Sequence, residues 1–337
     1  MDIKTRILVI SDTHADDCVL QNVQDLPAVD VAIHCGDLTE ESKLREFKGA
    51  LKLLRSINAP LKLVIAGNHD LSMDGPAFDK KIEETNRPGG SFVLDPEHIY
   101  REYGFPGEAR AVFEDARKHG IIFLNEGTHR FVLDNGALLR VYASPSTGSP
   151  TGDGAFQYKL QDGHNYAVER RDFVDVVITH GPPKGILDRT ESWKRAGCPD
   201  LFAAVCRARP RLHCFGHIHE GWGAKLVTWR EIHPTCETPS HFTEIDNGKS
   251  TVIETLAGLR RDKFDTPEIA ARKWEKLKRY ADDGFCYAGF SFEDGNPLEQ
   301  GMQTLFVNGA IQSLDEDKEQ LPWIVDIDLP EAPPMEW

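Results

Sequence analysis

Three short apolar runs open this chain, and each breaks off at a polar residue or a glycine. They are RILVI (6–10), VDVAIH (29–34) and LKLVIA (61–66). Runs of this length, rich in Val, Ile and Leu and cut by such signals, are read as buried strands. Between the second and third, Leu44, Phe47, Leu51 and Leu54 recur at helical spacing in a polar segment, the pattern of an amphipathic crossover helix. The first seventy or so residues therefore predict β-α-β-α-β with parallel strands.

From residue 121 the pattern changes to short strands: IIFLNEG, then RFVL and LLRVYAS joined through Asp134-Asn135-Gly136, a hairpin signal. VVITHGPP (176–183) and RLHCFGHIH (211–219) are again apolar runs ending in Gly and His, with the helical pattern DLFAAVCRAR between them. KLVTWREI, STVIETL, TLFVNGAI and WIVDIDL supply later strands. Three regions lack strand pattern. Residues 67–107 hold two candidate short helices. Residues 144–165 form a Gly/Ser/Pro loop with aromatics. Residues 234–300 read as an excursion around one helix, PEIAARKWEKLKRY, whose basic face is taken as solvated. The expectation is a single domain over 1–337, interrupted at about 234–300, with core strands returning at about 304–328.

Composition narrows the function. A net charge of -15 argues against long nucleic acid, whose nonspecific affinity needs clustered Lys and Arg. A small phosphate ester stays open, because bound metal ions reverse the local potential. The seven cysteines form no C-x-x-C and point to a reducing compartment rather than a disulfide framework. The first apolar run is too short for a signal peptide's core, and no stretch approaches the roughly 18 apolar residues that span a bilayer. A cytoplasmic protein without a membrane partner is expected; the oligomeric state is open.

Chemistry gathers at the strand ends. After the first run come Asp12 and His14; after the second, Asp37; after the third, Asn68, His69 and Asp70. The later runs end at His180 and at His217 and His219. In open α/β sheets the carboxyl edge of the strands is where ligands bind, and the adjacent glycines let the backbone turn sharply. Imidazole, carboxylate and amide oxygen together favour Mn, Fe, Zn or Ni over a thiolate or all-oxygen site. Seven donors exceed one tetrahedral ion but suit two ions sharing a carboxylate. Such a pair, roughly 3.5–4 Å apart, clamps the attacking and leaving oxygens of an in-line displacement and turns a bridging water into hydroxide.

Asp12-x-His14, Gly36-Asp37, Gly67-Asn68-His69-Asp70, His180 and Gly216-His217-x-His219 resemble, in order and spacing, the five signature motifs of the calcineurin-like metallophosphoesterases. THGPP, FGHIHEGWG and the NxxI…LPWIVDIDLP ending resemble a metallophosphoesterase-domain-containing subgroup related to class III cyclic-nucleotide phosphodiesterases. The likeness covers about residues 5–233 and the strands at 304–328. It implies an α/β, four-layer double β-sandwich flanked by helices, with a binuclear centre of two divalent ions. Manganese is the first expectation, with iron, zinc, nickel or cobalt as alternatives. Carried over, Asp12, His14, Asp37 and His219 hold one ion. Asp37, Asn68, His180 and His217 hold the other, with Asp37 bridging. His69 takes the position of the catalytic histidine, and Asp70, where many relatives carry Glu, would orient it.

The expected activity is hydrolysis of a small nucleotide-like or metabolite phosphodiester by a metal-bridging hydroxide. The alternatives are a phosphomonoesterase or protein phosphatase, a biosynthetic enzyme using the same centre on another bond, and a metal-bound nucleotide-binding scaffold with negligible turnover. His34 reads as a core strand residue, with support of the site as the minor alternative. His98, His119, His129, His213, His233 and His241 read as ordinary structural histidines. His164 is a weaker candidate for substrate contact, and its loop, with Phe156 and Tyr158, reads as a substrate wall.

Overall fold

The computed structural model describes residues 2–16, 23, 25–85, 95–231, 239–313 and 320–334. Cys18, Cys236 and His233 lie outside the described residues. In chain order the strands are β1 (Asp2–Ile10), β2 (Val31–His34), β3 (Leu61–Val64), β4 (Ile121–Phe123), β5 (Gly127–Val132), β6 (Leu138–Ser144), β7 (Thr147–Ser149) and β8 (Gln157–Lys159). They continue as β9 (Val176–Thr179), β10 (Leu212–Phe215), β11 (Gly223–Thr228), β12 (Thr251–Thr255), β13 (Cys286–Phe290), β14 (Gln303–Asn308) and β15 (Trp323–Pro330). Among the described residues they form a six-stranded sheet, β13-β15-β1-β2-β3-β4, and a seven-stranded sheet, β12-β11-β14-β10-β9-β6-β5. β7 and β8 pair separately.

The central strands carry continuous apolar stretches, such as residues 7–10 of β1 and 305–307 of β14, because both of their faces are covered. Alternation assigns the faces. Ile7 and Val9 of β1 join Val31, Ile33 and Leu63 against Val141, Val176, Ile178, Leu212 and Val307 of the other sheet. Leu8 and Ile10 point the opposite way, onto Phe47, Leu51 and Leu54 of the helix Leu44–Ser56. That helix starts where Glu46 reaches back to accept from the Lys43 and Glu41 amides. Burying Phe47 and each leucine contributes about 1.5–3 kcal/mol. The helix Pro199–Ala208 covers the far face of the second sheet through Leu201, Phe202 and Val205. The result is four layers: helix, sheet, sheet, helix.

β1, β2, β3 and β4 run parallel, as the crossover helix predicts, and so do β14, β10, β9 and β6. The late strands are central: β15 lies between β13 and β1, and β14 between β11 and β10. The excursion is more integrated than its composition suggests. Its described part gives β12 to one sheet and β13 to the other, each as an edge strand. β12 falls in the predicted strand STVIETL, whereas β13 carries no predicting pattern, and a helix, Pro267–Asp283, separates the two. β7 and β8, inside the Gly/Ser/Pro loop, carry no predicting pattern. No described helix is long and apolar enough to cross a membrane.

Candidate metal centre

β1, β2 and β3 end side by side in one sheet, and β9 and β10 in the other. The two sheets are stitched together at this edge: Ser11, after β1, donates its amide to Gly309 and accepts from the Ile311 amide, both just after β14. His180 Nδ1 lies 2.9 Å from the Cys35 carbonyl, which can only accept, so that nitrogen carries the proton. The predicted donors meet at this junction. Asp12, His14 and His219 bring ligand atoms within 4.8 Å of one another, and so do Asp37, His180 and His217. Asn68 Oδ1 stands 2.9 Å from His180 Nε2. Asp37 Oδ2 lies 3.2 Å from His180 Nε2 and 4.0 Å from His14 Nε2, beside both groups.

The backbone is bent to achieve this. Asp12, His14, Asp37 and His217 all adopt positive φ, between 46° and 66°, a conformation that costs non-glycine residues energy and persists where the surroundings enforce it. The enforcement is visible. The Asp12 amide donates to Gly36 O and the His14 amide to Asp37 O, while Asp12 accepts the His217 amide. Two glycines permit the closeness: a Cβ on Gly67 would overlap the Asp37 carboxylate, and one on Gly216 the Asp12 carboxylate.

Asp12 and Asp37 are fully buried or nearly so. Burial pushes both carboxyls up, but the facing imidazoles override it. Asp12 is lowered by its bond to His219 and by the charge of His180, and Asp37 mainly by the charge of His180. Burial pushes the imidazoles down, and this prevails at His217, which falls to about 4, and at His14. At His180 the Asp37 carboxylate outweighs burial and raises it to about 9. At His219 the bond to Asp12 does the same.

These residues fit divalent cations. His14 Nε2 is buried and makes no hydrogen bond although a carboxylate lies nearby. Such an orphaned lone pair beside an anion is what a cation satisfies, and the N/O donor set matches Mn, Fe, Zn or Ni.

The structure corrects one assignment and refines others. Asp70 does not face the His69 ring. Its buried carboxylate accepts from the Gly67, Leu38 and Thr39 amides and the Thr39 hydroxyl. Successive residues point apart, so adjacency in sequence misleads here. Asp70 ties the loop after β2 to the loop after β3, and burial together with the Asp37 charge raises it to about 7 against those hydrogen bonds. The His69 ring is instead held by the Glu40 carbonyl, 2.8 Å from Nδ1. Sequence reasoning misses Glu40; nothing but its place three residues after Asp37 could signal it. His34 is buried but not idle. It accepts from the Gly36 amide through Nδ1 and meets Thr13 Oγ1 through Nε2, bracing the loops of Asp12 and Asp37. His164 contacts Glu126 at 2.8 Å and stacks on Tyr158. Its loop abuts the centre, with the Ala155 amide donating to Asn68 O, but Phe156 and Tyr158 pack against the two outer cores. His213 is a core residue bonded to Thr179.

The calcineurin-like phosphoesterase family profile matches residues 5–221, from β1 through His219. The chain belongs to that family. Among similar proteins is the human "Metallophosphoesterase domain-containing protein 1", 32% identical over 65% of this chain and 62% of that one. A protein of Emericella nidulans named "Probable rhamnogalacturonate lyase C" is 32% identical over 66% of this chain but 18% of its own length. A UPF0046 protein of Caenorhabditis elegans is 27% identical over 65% of this chain and 52% of that one. The matched region thus spans less than two thirds of each of these relatives.

Proposed function

We propose that this calcineurin-like chain is a metal-dependent phosphodiesterase acting on a small nucleotide-like or metabolite phosphodiester. In this reading Asp12, His14, Asp37 and His219 hold one divalent ion, and Asp37, Asn68, His180 and His217 the other. The observation that carries it is the position of Asp37, whose Oδ2 faces an imidazole of each donor group. Bound there, the ions would supply Lewis acidity toward the phosphate oxygens and neutralise their charge.

The chain's own residues do the rest. His69 is half-buried, its Nδ1 fixed on the Glu40 carbonyl and its ring 4.8 Å from that of His14. A carbonyl only accepts, so Nδ1 carries a proton and Nε2 is the atom left to meet substrate. When Nε2 also carries a proton, it donates that proton to, or stabilises charge on, the leaving oxygen. Asp70, by clamping the loops after β2 and β3, keeps His69 beside Asp37, whose Oδ1 accepts the His69 amide.

Metal analysis of the purified protein, followed by a substrate panel, tests the reading. The panel holds bis-p-nitrophenyl phosphate, p-nitrophenyl phosphate, and 2′,3′- and 3′,5′-cyclic nucleotides. Two ions per chain with diester turnover well above monoester turnover is the expected result. Monoester preference turns the assignment to a phosphatase. Metal without turnover on any of these overturns it.

A further inference from the structure

We infer that Glu40 is a positioning residue that sets the tautomers of two functional histidines at once, one through its side chain and one through its main chain. The inference rests on the binuclear reading above. Glu40 lies in the loop after β2. Its carbonyl oxygen stands 2.8 Å from His69 Nδ1, and its carboxylate oxygen Oε2 stands 2.8 Å from His14 Nδ1. The ligand atoms of His14, Glu40 and His69 lie within 4.8 Å of one another.

The chemistry of these partners is one-sided. A carbonyl has no proton to give, so His69 is protonated on Nδ1 and presents Nε2 outward. An ionised carboxylate likewise accepts only, so it favours the His14 tautomer with Nδ1–H and a lone pair on Nε2. That lone pair is the one beside Asp37 Oδ2. The His14 contact is short but out of line for a hydrogen bond. The Glu40 side chain is 53% exposed and so has room to rotate into line. A carboxylate behind a metal-ligating imidazole fixes the ring and raises its basicity, and losing it typically costs 10–100-fold in metal affinity.

The two arms are separable because only one of them is a side chain. Glu40→Ala removes the carboxylate and leaves the carbonyl. Equilibrium dialysis of chelated protein against Mn2+ should show wild type binding two ions and Glu40→Ala losing about 10–100-fold in affinity for one of them, the other unchanged. Glu40→Gln keeps an acceptor oxygen and should recover most of that loss. Long-range 1H–15N NMR should find His69 protonated on Nδ1 in wild type and in both variants. Unchanged affinity for both ions in Glu40→Ala overturns the side-chain arm. A loss in Glu40→Gln equal to that in Glu40→Ala also overturns it, making Glu40 a ligand itself. A His69 protonated on Nε2 alone overturns the main-chain arm. If wild type binds fewer than two ions, it is the binuclear reading that fails, while the His69 result still stands or falls independently.

Discussion

The two sheets give unlike things to the same centre. The six-stranded sheet, through the ends of β1, β2 and β3, supplies every carboxylate among the predicted residues, Asp12, Asp37 and Asp70, together with Asn68, His14 and His69. The seven-stranded sheet, through β9 and β10, supplies imidazoles only: His180, His217 and His219. Charge is therefore balanced across the junction rather than within either sheet. His180 meets Asp37 at 3.2 Å, and His219 meets Asp12 at 3.3 Å. Neither half is a site alone. Cations bound here would meet the same first-sheet carboxylates that raise His180 and His219.

The largest effect should come from removing the charge that serves both halves. Asp37→Asn keeps the shape but deletes the carboxylate beside His14 and His180. It should lower metal content and activity together, by more than the 10–100-fold typical of an outer-shell partner, as read by elemental analysis and turnover of the same preparation. Full occupancy with normal turnover would remove the shared carboxylate from the comparison.

Next comes His69, which belongs to the first sheet yet is assigned no metal. His69→Ala should keep the wild-type metal content while kcat falls about 10²–10⁴-fold, the usual contribution of general acid–base catalysis. Esters with poor leaving groups should suffer more than p-nitrophenyl esters, whose phenolate departs unaided. Equal losses would mean that His69 acts by charge and not by proton transfer.

The smallest expected effect, taken per pH unit, is a slope. The Asp37 carboxylate, against the opposing pull of burial, holds His180 up at about 9, so below that pH the metal-free centre keeps a proton which an incoming cation must displace. Affinity should then fall as pH falls, about tenfold per unit for each displaced proton, and level off above about pH 9. His219, raised in the same direction, adds to the slope, whereas His217, lowered to about 4, does not. Isothermal titration with Mn2+ at pH 6, 7 and 8 measures this. A pH-independent affinity would show that the cross-sheet pairs hold no competing proton.

Much of the centre is legible in the amino-acid sequence. A strand that runs into Gly or Ser-Asp ends there for local reasons, and side chains at such ends gather along one sheet edge. That is why pattern and motif together name Asp12, Asp37, Asn68, His180 and His217. Asp70 misleads because its neighbour in sequence, His69, is not its neighbour in space: its carboxylate turns back to amides of residues 38, 39 and 67. Glu40 is invisible because one exposed glutamate in a polar loop looks like any other. Its significance is two contacts to histidines 26 and 29 residues away.

Local periodicity alone determined that this chain holds apolar strands, one clear crossover helix, and polar residues where the strands stop. Each of those features depends on residues within a few positions of one another. Which of the later strands become neighbours was decided only in the tertiary structure. β15 inserts beside β1, β14 inserts between β10 and β11, and β12 and β13 close an edge on each sheet. Strand pairing is made by main-chain hydrogen bonds that every residue can offer, so the partner is chosen by burial of both faces at once. That choice brought His180 and His219 against Asp37 and Asp12, across more than a hundred residues of chain.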